Sequence, residues 1–276
     1  MAQALVLLSD GPRGASPGDP PNATAWSLDH VGIFARSVED AALALSVLAG
    51  HDPSDAYSAA VPAADYLGAL GQSERSPRLG VPRQLFLDKA SPEVTAHLDG
   101  IASALARAGA VVEEVSLPPS AEAIHEAGQL VMRVEAAAYH APRFARHRDS
   151  YRPKIRGLIE AGLGVPGVDY VRAQEIRRRF REEMGALLER VDALLMPVAA
   201  TTAPKGLSST GDPGLCAPWS FAGLPAVALP SGLSQDGLPL AVQLVTGAFA
   251  EDRLLRVARW CEAVMGWSGT PPVGDA

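Results

Sequence analysis

Between Ser91 and Leu117 a helix, a tight glycine turn and a strand follow one another directly. Ser91 offers an N-cap and Pro92 a first helical residue with preset φ. Val94, Leu98, Ile101 and Leu105 recur at helical spacing, and Gly109 stops the run. Ala110 to Leu117 (AVVEEVSL) then reads as a strand. The apolar stripe of such a helix must be buried against the sheet that the strand joins, so the chain is committed to an α/β architecture. Its 276 residues suffice for one large domain or two small ones around a real core. Aromatics are only 5%, so Ala, Leu and Val must fill most of that core.

Other segments extend the pattern. Val38, Ala41, Ala42, Leu45 and Leu48 form one helical face, with Ser37 as N-cap, Glu39 and Asp40 in the positive first turn, and Gly50 ending the helix. Residues 51–64 read as loop, Leu79 to Val81 as a short strand and 120–147 as mostly helix. Gly157, Gly162, Gly164 and Gly167 suggest a loop. Asp169 to Val191 is a long amphipathic helix with Ile176, Phe180, Met184, Leu187, Leu188 and Val191 on its stripe. Ala193 to Pro197 is a buried-strand candidate. Ala226 to Leu229 and Leu238 to Val245 flank Asp236-Gly237 as an antiparallel hairpin. Glu251 to Met265 closes the chain as a helix.

Charge excludes several functions. A net charge of −7 gives no general attraction to nucleic acid or anionic membrane. The apolar run Ala4 to Leu8 is too short to span a bilayer and lacks a basic flank and a cleavage site. Arg177, Arg178, Arg179 and Arg181 read as a solvated helix face paired with Glu175, Glu182 and Glu183. Glu113 and Glu114, adjacent on a strand, face opposite sides and form no carboxylate pair. Cys216 and Cys261 make neither a disulfide framework nor a zinc site, which suits a reducing cytoplasm. The scattered histidines show no metal-ligand spacing, so no metal or cofactor is expected.

Two stretches carry a resemblance. Residues 27–55 read SLDHVGIFARSVEDAALALSVLAGHDPSD, and residues 218–262 read PWSFAGLPAVALPSGLSQDGLPLAVQLVTGAFAEDRLLRVARWCE. Weaker likeness lies in 152–177 and 191–206, in the same order. Together they resemble the amidase-signature family over about residues 26–267. Ile33 stands where the family usually has proline, Ser220 where it has asparagine and Ala241 where it has glycine.

The resemblance implies a mixed β-sheet flanked by helices and cleavage of a small-molecule carboxamide. The family's nucleophilic serine, relay serine and basic lysine all precede the S-L-D run. The 26 residues before Ser27 hold neither G-G-S nor lysine. No catalytic residue is therefore carried over, and the expectation is the C-terminal half of an amidase, an incomplete amidase-signature fold inactive alone. Its activity would await a separate N-terminal half; alternatively it is a ligand-binding module without turnover. In the family the loop before G-L-P-A faces substrate, which points to Cys216, Trp219 and Ser220 as pocket wall, with core filling as the other reading of Trp219. As a nucleophile Cys216 would need a base, and neither His125 nor His140 is placed near it by spacing. Residues 1–25, rich in Gly, Pro and Ser from Ser9 onward, read as a disordered or non-homologous leader, 26–270 as the domain and 271–276 as a tail. Missing strands would leave part of the core exposed and favour self-association.

Overall fold

The computed structural model describes the backbone of residues 4–7 and residues 25–53, 58–71 and 75–269. Seven strands form one mixed sheet: β1 (Ala4–Leu7), β2 (Gly32–Ala35), β3 (Arg78–Pro82), β4 (Val111–Val115), β5 (Ala193–Pro197), β6 (Ala226–Leu233) and β7 (Pro239–Val245). Their order is β2-β1-β6-β7-β5-β3-β4. The β3–β4 and β3–β5 pairs are parallel, and the remaining four pairs are antiparallel. The expected α/β fold, a mixed sheet flanked by helices, is the fold observed.

The helices are α1 (Val38–Leu48), α2 (Tyr66–Leu70), α3 (Pro92–Arg107), α4 (Ile124–His147), α5 (Pro153–Leu163), α6 (Gly167–Leu188), α7 (Ala217–Ala222) and α8 (Glu251–Met265). They divide between two cores. α1, α2, α3 and α8 supply Leu45, Tyr66, Leu98 and Leu254 to one. α4, α6 and α7 supply Val131, Phe180, Met184 and Trp219 to the other. Strand β5 separates them. Ala193 and Leu195 belong to the first core, Leu194 and Met196 to the second, and all are 0% exposed. That is the period-two alternation of a strand covered on both faces.

Several readings of the sequence are corrected. The glycine-rich stretch after residue 152 is the helix α5, not a loop. Its Gly162 lies so close to α4 that a Cβ there would fall 1.9 Å from the Arg133 carbonyl oxygen. The glycine marks close helix packing rather than a break. Within the 1–25 segment, Ala4–Leu7 is a strand, with Leu5 opposite both Phe34 of β2 and Ala228 of β6. An apolar run with Val and Leu suits a strand held between two partners. The remainder of the expected leader, except Ala25, and the 271–276 tail lie outside the described residues.

Glu113 and Glu114 diverge as expected, toward Arg78 at 3.8 Å and Arg83 at 3.3 Å. Apolar side chains do remain in solvent near the β2 edge: Phe34 is 74% exposed and Val47 of α1 79%. No helix among the described residues is long and apolar enough to cross a membrane.

Candidate substrate-binding cavity

A cavity of about 340 Å³ opens between the first turns of α4 and the segment around α7. Helical spacing builds the α4 wall: Ile124, Gly128 and Met132 stand one turn apart, with His125 and Gln129 beside them. Cys216, Ser220 and Phe221 face them, and Leu28 closes one side. Gly128 faces the Phe221 ring, and a Cβ there would lie 3.4 Å from it, within ordinary van der Waals contact. α7 ends at Gly223, whose φ of 66° is the left-handed cap that turns the chain into β6.

Of the three residues expected to face substrate, two border this cavity. Cys216 and Ser220 line the cavity, whereas Trp219 does not. Trp219 is 0% exposed, and its ring stacks on Phe86 at 5.3 Å and leans on Phe180 at 6.3 Å. Its indole N–H donates to the Leu215 carbonyl at 2.9 Å. On a short helix, neighbouring residues point in different directions, so Trp219 goes to the core while Ser220 turns to the cavity.

The polar groups here are mostly engaged. The Cys216 thiol donates to the Val198 carbonyl at 3.0 Å. Burial pushes this thiol up to about 11, so it stays neutral near pH 7. His125 shares the cavity with Cys216, a proximity that spacing did not reveal. Its Nε2 is instead 3.0 Å from Gln129 Nε2, and Gln129 accepts from Arg133 at 3.0 Å. His140 lies elsewhere, 3.1 Å from the Tyr151 hydroxyl. The lysines, Lys89, Lys154 and Lys205, are all exposed. Among the described residues no group of three His, Cys, Asp or Glu is placed to hold a metal ion.

Behind the cavity lies a buried polar knot that the sequence did not disclose. Glu135 of α4 is 1% exposed and accepts from the Ser27 backbone N–H at 3.0 Å and the Ser27 hydroxyl at 2.6 Å. The Tyr170 hydroxyl donates to the same carboxylate at 3.2 Å. Arg177 of α6 donates to the Ser27 hydroxyl at 2.7 Å, to the Ser27 carbonyl at 2.6 Å and, through Nε, to the Phe221 carbonyl. Its guanidinium also sits 5.1 Å from the centre of the Phe221 ring. Arg178 and Arg179, by contrast, pair with Glu175, Glu182 and Glu183 on the surface, as expected. One arginine of the run is thus turned inward.

The sequence pattern of the Amidase family matches residues 12–255, and the chain belongs to that family. It is 33% identical to an amidase of Pseudomonas putida, over 91% of this chain and 56% of that protein. It is also 33% identical to one of the subunits of the glutamyl-tRNA(Gln) amidotransferase of Synechococcus sp. (strain RCC307), over 87% and 56%. A solved structure from a vestigial protein complex, reported for the origins of an s-triazine catabolic enzyme, superposes with a TM-score of 0.82. That match is 29% identical and covers 96% of this chain and 59% of the other. The chain thus spans just over half the length of the relatives it matches.

Proposed function

We propose that this chain forms the substrate-facing wall of an amidase-signature amide hydrolase and does not turn amides over by itself. The reading rests on the cavity between α4 and α7, which is shaped and apolar yet carries no activated nucleophile. Its thiol is held neutral, and His125 is engaged by Gln129 rather than by Cys216. A lysine base must be desolvated or crowded by charge to lose its proton near pH 7. All three lysine side chains are instead in solvent. Serine attack on an amide needs both a proton acceptor and donors for the oxyanion. In this proposal the family's Ser–Ser–Lys segment, from outside these residues, supplies them. The bound molecule is a small carboxamide with an apolar body, because Ile124, Met132 and Phe221 line the cavity. Free cysteines suit a reducing compartment, the cytoplasm.

Ammonia release from benzamide and other simple carboxamides tests this. The purified chain alone is expected to give none, and addition of the N-terminal portion of an amidase relative is expected to restore it. Turnover by the chain alone, especially if Cys216→Ala abolishes it, would overturn the proposal. Without that complement, the exposed Phe34 and Val47 favour self-association, which a concentration-dependent elution volume in gel filtration would reveal.

A further inference from the structure

A second cavity, of about 180 Å³, lies where β3 and β5 begin. Arg75, Asp192, Arg253, Arg256 and Trp260 line it, and it shares no residue with the cavity between α4 and α7. Its three guanidinium groups meet two carboxylates, Asp192 in the lining and Asp252 beside Arg256, which leaves a local charge of about +1 in a chain whose total is −7.

The local carboxylates are already engaged. Asp192 accepts from Arg75 at 2.8 and 3.0 Å and from the Arg78 backbone N–H at 2.7 Å, which fixes it as the clasp between β3 and β5. Arg256 reaches Asp252, one turn back on α8, at 3.4 Å. Arg253 is half-buried and has neither ion pair nor hydrogen bond among the described residues. Its guanidinium lies beside Gly247, where a Cβ would be 3.6 Å from the terminal nitrogen. Its nitrogens still meet solvent, so an oxyanion that enters the cavity gains charge-assisted bonds from a cation that no described carboxylate holds. Trp260 adds a flat apolar wall in partial contact with solvent.

We propose that this cavity binds a small aromatic carboxylate, its carboxylate on the forks of Arg253 and Arg256 and its ring against Trp260. The volume supports a ligand of that size: it is below the roughly 300–1,000 Å³ of sites for drug-sized molecules. A bare phosphate would leave the indole wall unused. Planar bidentate recognition by arginine favours a carboxylate over a neutral group of the same shape.

The test is a titration of the full chain with benzoate, benzyl alcohol and inorganic phosphate, read by tryptophan fluorescence and calorimetry. Benzoate is expected to bind saturably and to change the fluorescence. Benzyl alcohol is expected to bind at least tenfold more weakly, and phosphate more weakly than benzoate. Arg253→Gln is expected to cost at least tenfold in benzoate affinity, and Trp260→Phe to remove the fluorescence change. Equal binding of benzoate and benzyl alcohol, or of benzoate and phosphate, overturns the proposal. So does an Arg253→Gln chain that is folded by circular dichroism and binds benzoate unchanged. The comparison of benzoate with benzyl alcohol needs no variant and decides the matter if the substitution prevents folding.

Discussion

The two faces of the sheet are buried by different chemistry. On the side of α1, α2, α3 and α8 the core is mostly apolar: Leu45, Leu79, Leu98 and Leu254 are at most 1% exposed, and the buried charge there is Glu251, 2% exposed at the start of α8. On the side of α4, α6 and α7 an apolar core of similar extent surrounds the Ser27–Glu135–Arg177 knot and borders the cavity. Apolar burial is non-directional, so it can pack a face without dictating where each wall stands. Buried charged groups are directional and costly to leave unpaired, so they fix the positions of the segments they join. The face of α4, α6 and α7 thus ties distant segments through one buried knot, whereas on the other face the charged groups, Asp192 and Glu251, sit at the ends of elements.

Substitutions on each side put this contrast to the test. The largest expected effect is from Trp219→Ala, which removes the ring stacked between Phe86 and Phe180 and should cost about 4 kcal/mol in denaturant unfolding. A loss below about 1 kcal/mol would mean that this face relaxes and is not tightly packed. Next, Glu135→Ala takes the acceptor from the Ser27 N–H and hydroxyl and from the Tyr170 hydroxyl, and should cost about 3 kcal/mol. Glu135→Gln, which keeps an acceptor oxygen, should restore much of that loss; a Gln variant as unstable as the Ala variant would show that the carboxylate's charge matters beyond its role as acceptor.

On the apolar face the tests are gentler. Ser37 accepts from the Asp40 backbone N–H at 3.0 Å as the cap of α1, and Ser37→Ala should cost about 1 kcal/mol in thermal unfolding. The smallest effect concerns His97 of α3, which lies 2.8 Å from the Ser231 hydroxyl. Burial pushes the His97 imidazole below its ordinary 6.5, although nearby Glu93 pulls the other way. The unfolded chain therefore takes up this proton first as pH falls. Stability is fully present above about pH 6.5 and declines below it, until the folded imidazole is protonated too. His97→Gln should flatten that part of a melting-temperature profile; an unchanged slope would assign it to other groups.

Much of the fold was legible because periodicity and burial agree. The stripes of α1, α3 and α6 and the apolar run of β5 point to the elements that formed, and Asp236-Gly237 marks the hairpin of β6 and β7. Where a residue serves a neighbour rather than its own segment, the signal fails. Gly162 looked like a loop residue because the helix it accommodates is α4, far along the chain. Cys216 and Ser220 could be placed on the cavity by resemblance, but the other wall, His125 and Gln129, required knowing that α4 crosses α7. The knot left a faint trace: Glu135 follows Val131 by four positions, and Arg177 follows Ala173 by four and precedes Phe180 by three. A charge on an apolar stripe has to find a buried partner, and the surrounding arginines obscured that clue.

Arg177 touches no part of the open space, yet it grips the backbone on two sides of it, at Ser27 beside Leu28 and at Phe221. The gap between those sides is therefore set from behind by the span of one rigid guanidinium. A shorter or more pliable side chain at that position would retune which guest fits without altering any surface the guest meets.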